Sequence, residues 1–314
     1  LGKSVVMLRL LSGASCAAAA WLTYRWARRT HGQPEALAGL VLLTFSPALV
    51  SAACEVRQYA LLLLFTCGAL HLLQRFLEGK SLWVGGAYSA CLYGAVLTHY
   101  SAAWIAVTFA VYGTVAWAAV NPGWRVRTFW CLSLAGVAVL YVFLYFTHVR
   151  RVLASGYARS QILGYLQGQY FSPTDQGLVE FAGGHTATFF AYLMGGQLAG
   201  GIALACFVAG LIHVLVDRST DARQPKRRYG LILLVLPLGL GCLGAIAQAL
   251  PFGGSRHSSY LLPFASTGVA LGLVRVFRLR PVSRILVAAM VLVPLWLTSW
   301  RPPNATPAML ETHL

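Results

Sequence analysis

Charge is scarce in this 314-residue chain: only 10% of residues are charged, and acids are the rarest of them, eight Asp and Glu against 24 Lys and Arg. Soluble domains carry about 25% charge. With 58% hydrophobic residues and a mean hydropathy of +0.68, a water-soluble domain is excluded, and an all-α polytopic integral membrane protein is expected. The formal net charge of +16 is scattered in short groups between apolar runs. A nucleic-acid binder gathers its bases on one face or in one domain, so no nucleic-acid partner is expected. The seven cysteines are 16, 54, 67, 91, 131, 206 and 242, with no CxxC or CxxH spacing, and nearly all lie in apolar segments. That excludes a disulfide framework and a zinc site and reads as small core residues. No metal motif, no cofactor fingerprint, no repeat of about 20–50 residues and no inverted symmetry of the transporter kind are present.

The chain is instead rich in apolar runs. A membrane-crossing helix needs about 20 apolar residues, and about ten candidates occur, at 8–24, 36–53, 58–73, 82–97, 101–120, 128–147, 186–216, 231–250, 260–274 and 285–300. The seventh is too long for one crossing, and Gly195-Gly196 and Gly200-Gly201 predict a break there. The whole chain, 1–314, reads as one transmembrane domain with a polar segment, 148–185, inside it. That segment is aromatic and glutamine-rich, which suits contact with a sugar or the lipid interface, although an ordinary amphipathic surface helix is the more frequent reading of such a composition.

Alternate loops differ in basic content. Sixteen of the 24 Lys and Arg fall on one set, including Arg25, Arg28 and Arg29, the cluster Lys226-Arg227-Arg228, and Arg275 to Arg284. The positive-inside rule makes that set cytoplasmic and puts 148–185 outside. Residue 1 then lies outside too, as expected of a chain preceded by a further helix. The Arg- and Ala-rich composition points to a bacterial inner membrane with a periplasmic site.

Placed on this topology, the outer polar residues fall in a few short turns. Glu55, Arg57 and Tyr59 alternate between two apolar runs, a spacing that puts all three on one side of an extended turn. Ionisable residues at a bilayer edge are costly unless paired, so this knot is either a site or a Glu55–Arg57 pair capping a hairpin. The second turn is Thr98-His99-Tyr100, and the third is Gly253-Gly254-Ser255-Arg256-His257-Ser258-Ser259-Tyr260. His99 alone reads as an interfacial histidine, and Arg256-His257 alone as a turn anchor. Together, Arg57, Tyr59, His99, Tyr100, Arg256, His257 and Tyr260 make a candidate substrate site for a lipid-linked phosphate, because Arg offers a bidentate fork to phosphate. A sugar transfer also needs a carboxylate to take the acceptor proton. Of the eight acids, Glu55, Asp175, Glu180 and Glu311 fall outside. Glu55 and Asp175 are the well-placed candidate catalytic residues.

The segment Leu8-Arg9-Leu10-Leu11-Ser12 through Ser46-Pro47 to Glu55-Val56-Arg57-Gln58-Tyr59-Ala60-Leu61, with the Thr98-His99-Tyr100 turn and the Arg256 to Pro263 stretch, resembles the GT-C membrane glycosyltransferases. Within them it is similar to the protein O-mannosyltransferases and aminoarabinose transferases (glycosyltransferase family 39 and bacterial relatives). The resemblance implies a polyprenyl-phosphate sugar as donor, a lipid or protein as acceptor, membrane lipid as surroundings, and transfer on the outer face. It implies Arg57, Tyr59, His99 and Arg256 on the phosphate and sugar side. It also implies a catalytic acid in a first outer loop after a first helix, both ahead of residue 1, with Lys3-Ser4 as that loop's tail. Two other readings of the same arginines are a flippase for a lipid-linked sugar and a catalytically inactive, truncated relative.

Overall fold

The structure is a computed structural model and describes residues 5–118, 123–154, 156, 164, 166–217 and 224–277. The described residues are mostly helical and include no strand. Chain order runs α1 (Val5–Thr30), α2 (Gln33–Thr44), α3 (Pro47–Cys54), α4 (Tyr59–Gly79), α5 (Leu82–Thr98), α6 (Ala102–Ala118) and α7 (Trp124–Leu144). A π-turn (Tyr145–Val149) leads into α8 (Arg150–Ala154). Then come a 3-10 turn (Gln167–Gln169), α9 (Leu178–Met194), α10 (Gln197–Val216), α11 (Gln224–Ile246), a second 3-10 turn (Arg256–Leu261) and α12 (Leu262–Phe277).

Local chemistry sets the breaks. Gly32 at φ 125 turns the chain between α1 and α2, and Pro34 follows in the first turn of α2, where its missing N–H is not needed. Pro47 opens α3 in the same way. Gly195, at φ 77, closes α9 in the left-handed conformation that glycine adopts without strain. The break expected at Gly195-Gly196 is therefore real.

Five helical stretches are long and apolar enough to cross a membrane: Tyr59–Gly79, Trp124–Val152, Gln197–Val216, Arg228–Ile246 and Arg256–Val276. A sixth is the pair α2 and α3, bent by 54°. The count of ten is not reached among the described residues. The expected crossing at 36–53 is cut at Ser46, where a proline must start a new helix, and 186–216 divides into α9 and α10. Helices α5 and α6 are apolar but only 17 residues each. The expected crossing at 285–300, Lys3-Ser4 and most of 155–165 lie outside the described residues.

Burial sorts the helices. In α4, 72% of the apolar window is buried, and in the α12 stretch 83%, against 17% in the α7 stretch. Helices α4 and α12 are thus central, while α7 turns Leu132, Val139 and Phe143 outward, as lipid-facing positions require. Central crossings are close. A Cβ on Gly210 would lie 2.7 Å from the Gly268 carbonyl, and one on Gly272 would collide with the Cys206 carbonyl. These two small-x3-small pairs let α10 and α12 touch backbone to backbone, the usual basis of helix association in lipid. Between α5 and α7, hydrogen bonds join small residues at the crossing: Ser89 and Ser133 hydroxyls meet at 2.7 Å, and the Tyr93 hydroxyl donates to the Ser133 carbonyl at 3.0 Å.

Candidate functional site

Three short connections that are far apart in sequence meet at the amino end of α4. The first joins α3 to α4. Glu55 ends α3 with an extended backbone (φ −83, ψ 136), so residues 55–58 form a turn rather than continuing the helix. The Ser51 hydroxyl donates to Glu55 Oε1 at 3.3 Å. Glu55 Oε2 faces two guanidiniums, Arg57 Nε at 3.6 Å and an Arg256 terminal nitrogen at 3.8 Å. It is buried and makes no hydrogen bond among the described residues. Arg256 comes from the second 3-10 turn, about 200 residues away in sequence, which follows the extended Ser255 (φ −140, ψ 166).

The second connection is the tight turn between α5 and α6. His99 leaves α5 in extended conformation (φ −158, ψ 140), which swings its ring back toward Tyr59, at 5.5 Å between ring centres. Tyr59 in turn contacts His257 edge to face at 5.8 Å, and the Tyr59 hydroxyl lies 3.2 Å from His257 Nδ1. His99 and His257 rings are 6.4 Å apart. Burial pushes His99 down to about 4, so its imidazole is neutral at physiological pH. Tyr100 stacks loosely toward His148 at 6.1 Å, and its carbonyl accepts the Tyr141 hydroxyl at 3.0 Å. Beside it, Tyr100, Trp104, Tyr141 and Tyr145 line an open apolar cavity of about 480 Å³.

The structure thus brings together Glu55, Arg57, Tyr59, His99, Tyr100, Arg256 and His257. It does not bring Tyr260 into this group. Tyr260 is buried, with its hydroxyl against Gly241 of α11, a core position. Nor does Asp175 touch the cluster among the described contacts. It is exposed and accepts the Thr174 hydroxyl at 3.1 Å, in a turn closed by its own N–H to the Ser172 carbonyl. Its segment is nevertheless tied to the Arg256 turn. The Ser255 hydroxyl donates to Gln169 Oε1 at 2.6 Å, and the Phe252 N–H donates to the Gln169 carbonyl at 3.2 Å.

Sequence reasoning missed Ser51, Ser101 and Gln169. Ser51 sits four residues before Glu55, a helical spacing that could have found it. His185, also missed, packs 4.2 Å from Phe181, and its Nδ1 lies 3.0 Å from the Phe252 carbonyl. No sequence signal joins Gln169 to Ser255 or His185 to Phe252. Among the described residues no group of three or more His, Cys, Asp or Glu could hold a metal ion.

No known family profile and no curated protein sequence matches the chain. Solved structures do match its shape. An oligosaccharyltransferase from Archaeoglobus fulgidus, crystallised tethered to an acceptor peptide containing an NVT sequon, superposes with a TM-score of 0.58 at 13% identity over 97% of this chain. The oligosaccharyltransferase AglB from the same organism, in complex with an inhibitory peptide and a dolichol-phosphate, gives 0.54 at 11% identity over 95% of this chain. The chain spans 45% and 44% of the length of those two proteins. The likeness defines the class of fold: this is the all-α GT-C fold of membrane glycosyltransferases.

Proposed function

We propose that this chain belongs to an enzyme that transfers a sugar from a polyprenyl-phosphate donor to a lipid or protein acceptor on the outer, periplasmic face of a bacterial inner membrane. One observation carries the reading: two guanidiniums, two imidazoles and a phenol, drawn from three separate connections, converge beside a carboxylate at one end of the helices. A fold shared with a protein that binds a dolichol-phosphate supports a phosphate as the group these cations receive. Of the finer types within the fold, the Glu55-x-Arg57-x-Tyr59 element favours the O-mannosyltransferase and aminoarabinose transferase kind.

In this reading Arg57 and Arg256 neutralise the phosphate as it departs, and Tyr59, His99 and His257 supply hydrogen bonds to it and to the sugar. Preorganised donors aimed at developing charge are usually the largest single contribution to catalysis. Glu55 touches both arginines and fixes where they point. Asp175, exposed and carried on a segment pinned to the Arg256 turn, is the second candidate to take the acceptor proton. Tyr100 sits between the polar cluster and the apolar cavity, at the junction of a phosphate head and its lipid chain.

The test is transfer of radiolabelled sugar from polyprenyl phosphate by the chain in nanodiscs, with Glu55→Gln and Asp175→Asn side by side. Loss of turnover in one of them identifies the base. Donor binding without turnover in the unaltered chain would favour a flippase. The face is checked separately: a cysteine at Ser172 should react with an impermeant thiol reagent added outside intact cells, and labelling only after permeabilisation would invert the topology.

A further inference from the structure

His99 and Ser101 form a contact whose polarity has one solution. Ser101 is buried, 1% exposed, and immediately precedes α6. Its backbone N–H donates to His99 Nδ1 at 3.1 Å, and its hydroxyl lies 2.8 Å from the same nitrogen. A backbone N–H only donates, so Nδ1 must offer its lone pair. The ring is then neutral, and its single proton sits on Nε2. That nitrogen makes no hydrogen bond among the described residues. It belongs to a ring packed against Tyr59 and beside His257, in the same cluster as Arg57 and Arg256.

We propose that Ser101 is a positioning residue that locks His99 as a fixed Nε2–H donor, so that His99 binds an anionic oxygen and does not act as a general base. The proposal rests on the reading of this cluster as a phosphate site. Its chemistry is distinct from that of the arginines. A neutral N–H donor adds direction without adding charge, and it spares the low-dielectric site a third cation. A base needs a vacant lone pair facing the substrate, and the only lone pair on His99 is spent on Ser101.

The experiment uses the full chain, labelled with 15N-histidine, in nanodiscs, with His99→Gln identifying the His99 signals. Expected are a pyrrole-type Nε2 and a pyridine-type Nδ1 at neutral pH. Ser101→Pro, which removes the backbone donor, should shift this balance toward a tautomer mixture, whereas Ser101→Ala and Ser101→Thr, which keep it, should leave Nδ1 the acceptor. Binding of polyprenyl phosphate gives the second readout. His99→Gln, whose amide reaches the Nε2 position, should stay within about threefold of the unaltered chain. His99→Ala and His99→Asn should lose at least about tenfold, the size of one hydrogen bond to a charged group. A protonated Nδ1, or His99→Gln binding as weakly as His99→Ala while Arg256→Ala also fails, would overturn the inference alone. Undiminished binding by both His99→Ala and Arg256→Ala would overturn the phosphate reading and with it the donor role, and the 15N signals would still decide the tautomer.

Discussion

The two ends of α4, about 30 Å apart at 1.5 Å per residue, both hold polar clusters, and the clusters differ in how fully they are satisfied. At the carboxyl end the Tyr112 hydroxyl donates to Gln74 Oε1 at 2.7 Å, Gln74 Nε2 donates to Glu78 Oε1 at 3.0 Å, and Arg29 pairs with Glu78 Oε2 at 3.4 Å. Each link closes on the next, joining α1, α4 and α6. At the amino end Glu55 Oε2 is buried without a hydrogen bond, its two guanidiniums standing off at 3.6 and 3.8 Å, and Arg57 is half exposed. Buried polar groups are normally satisfied because an unmade bond costs about 1–3 kcal/mol. A cluster that leaves a buried carboxylate oxygen unbonded among the described residues is less committed to holding helices together than one whose links close on each other.

The contrast breaks most sharply at Arg256. Arg256→Ala should weaken polyprenyl-phosphate binding by about 2 kcal/mol, roughly 30-fold, as for a partly buried charge-assisted contact, with little change in unfolding temperature. Equal binding by the variant in a direct titration would remove the phosphate role from this end. Tyr112→Phe should do the reverse. It strands the Gln74 carbonyl in the core and should cost about 1–2 kcal/mol of stability, read by thermal unfolding in detergent, with donor affinity unchanged. Glu55→Gln sharpens the comparison, because removing the one negative charge between two arginines should tighten phosphate binding several-fold while lowering turnover. Weaker binding would mean that Glu55 is needed to aim the arginines. The smallest effect is expected for Arg29→Ala, since the Arg29–Glu78 pair is about a third exposed and such pairs contribute under about 1 kcal/mol.

Part of this site was legible before folding. Glu55, Arg57 and Tyr59 stand out because charge is rare here, and a charged triplet between apolar runs has few explanations. The turns at His99 and Arg256 were legible for the same reason, and the break at Gly195-Gly196 followed from glycine's access to positive φ. The division of 36–53 at Ser46-Pro47 was not foreseen, because an apolar run looks continuous in composition even when a proline restarts the helix. Tyr260 was read with its polar neighbours in the Gly253–Tyr260 turn, but a 3-10 turn rotates the side chain at each step and carried it into the core.

Sequence by itself determined that this chain is an all-α, apolar, strongly basic protein of the membrane, because hydropathy and helical length are sums over local residues. It also determined which few residues had chemistry to offer. Only the tertiary structure decided which of them meet. The Arg256–Glu55 contact, the Tyr59–His257 bond, the burial of Tyr260 and the fixing of His99 by a backbone N–H all depend on how α3, α4, α6 and α12 pack. That packing is set by glycine crossings and shape complementarity, which no local property of the chain encodes.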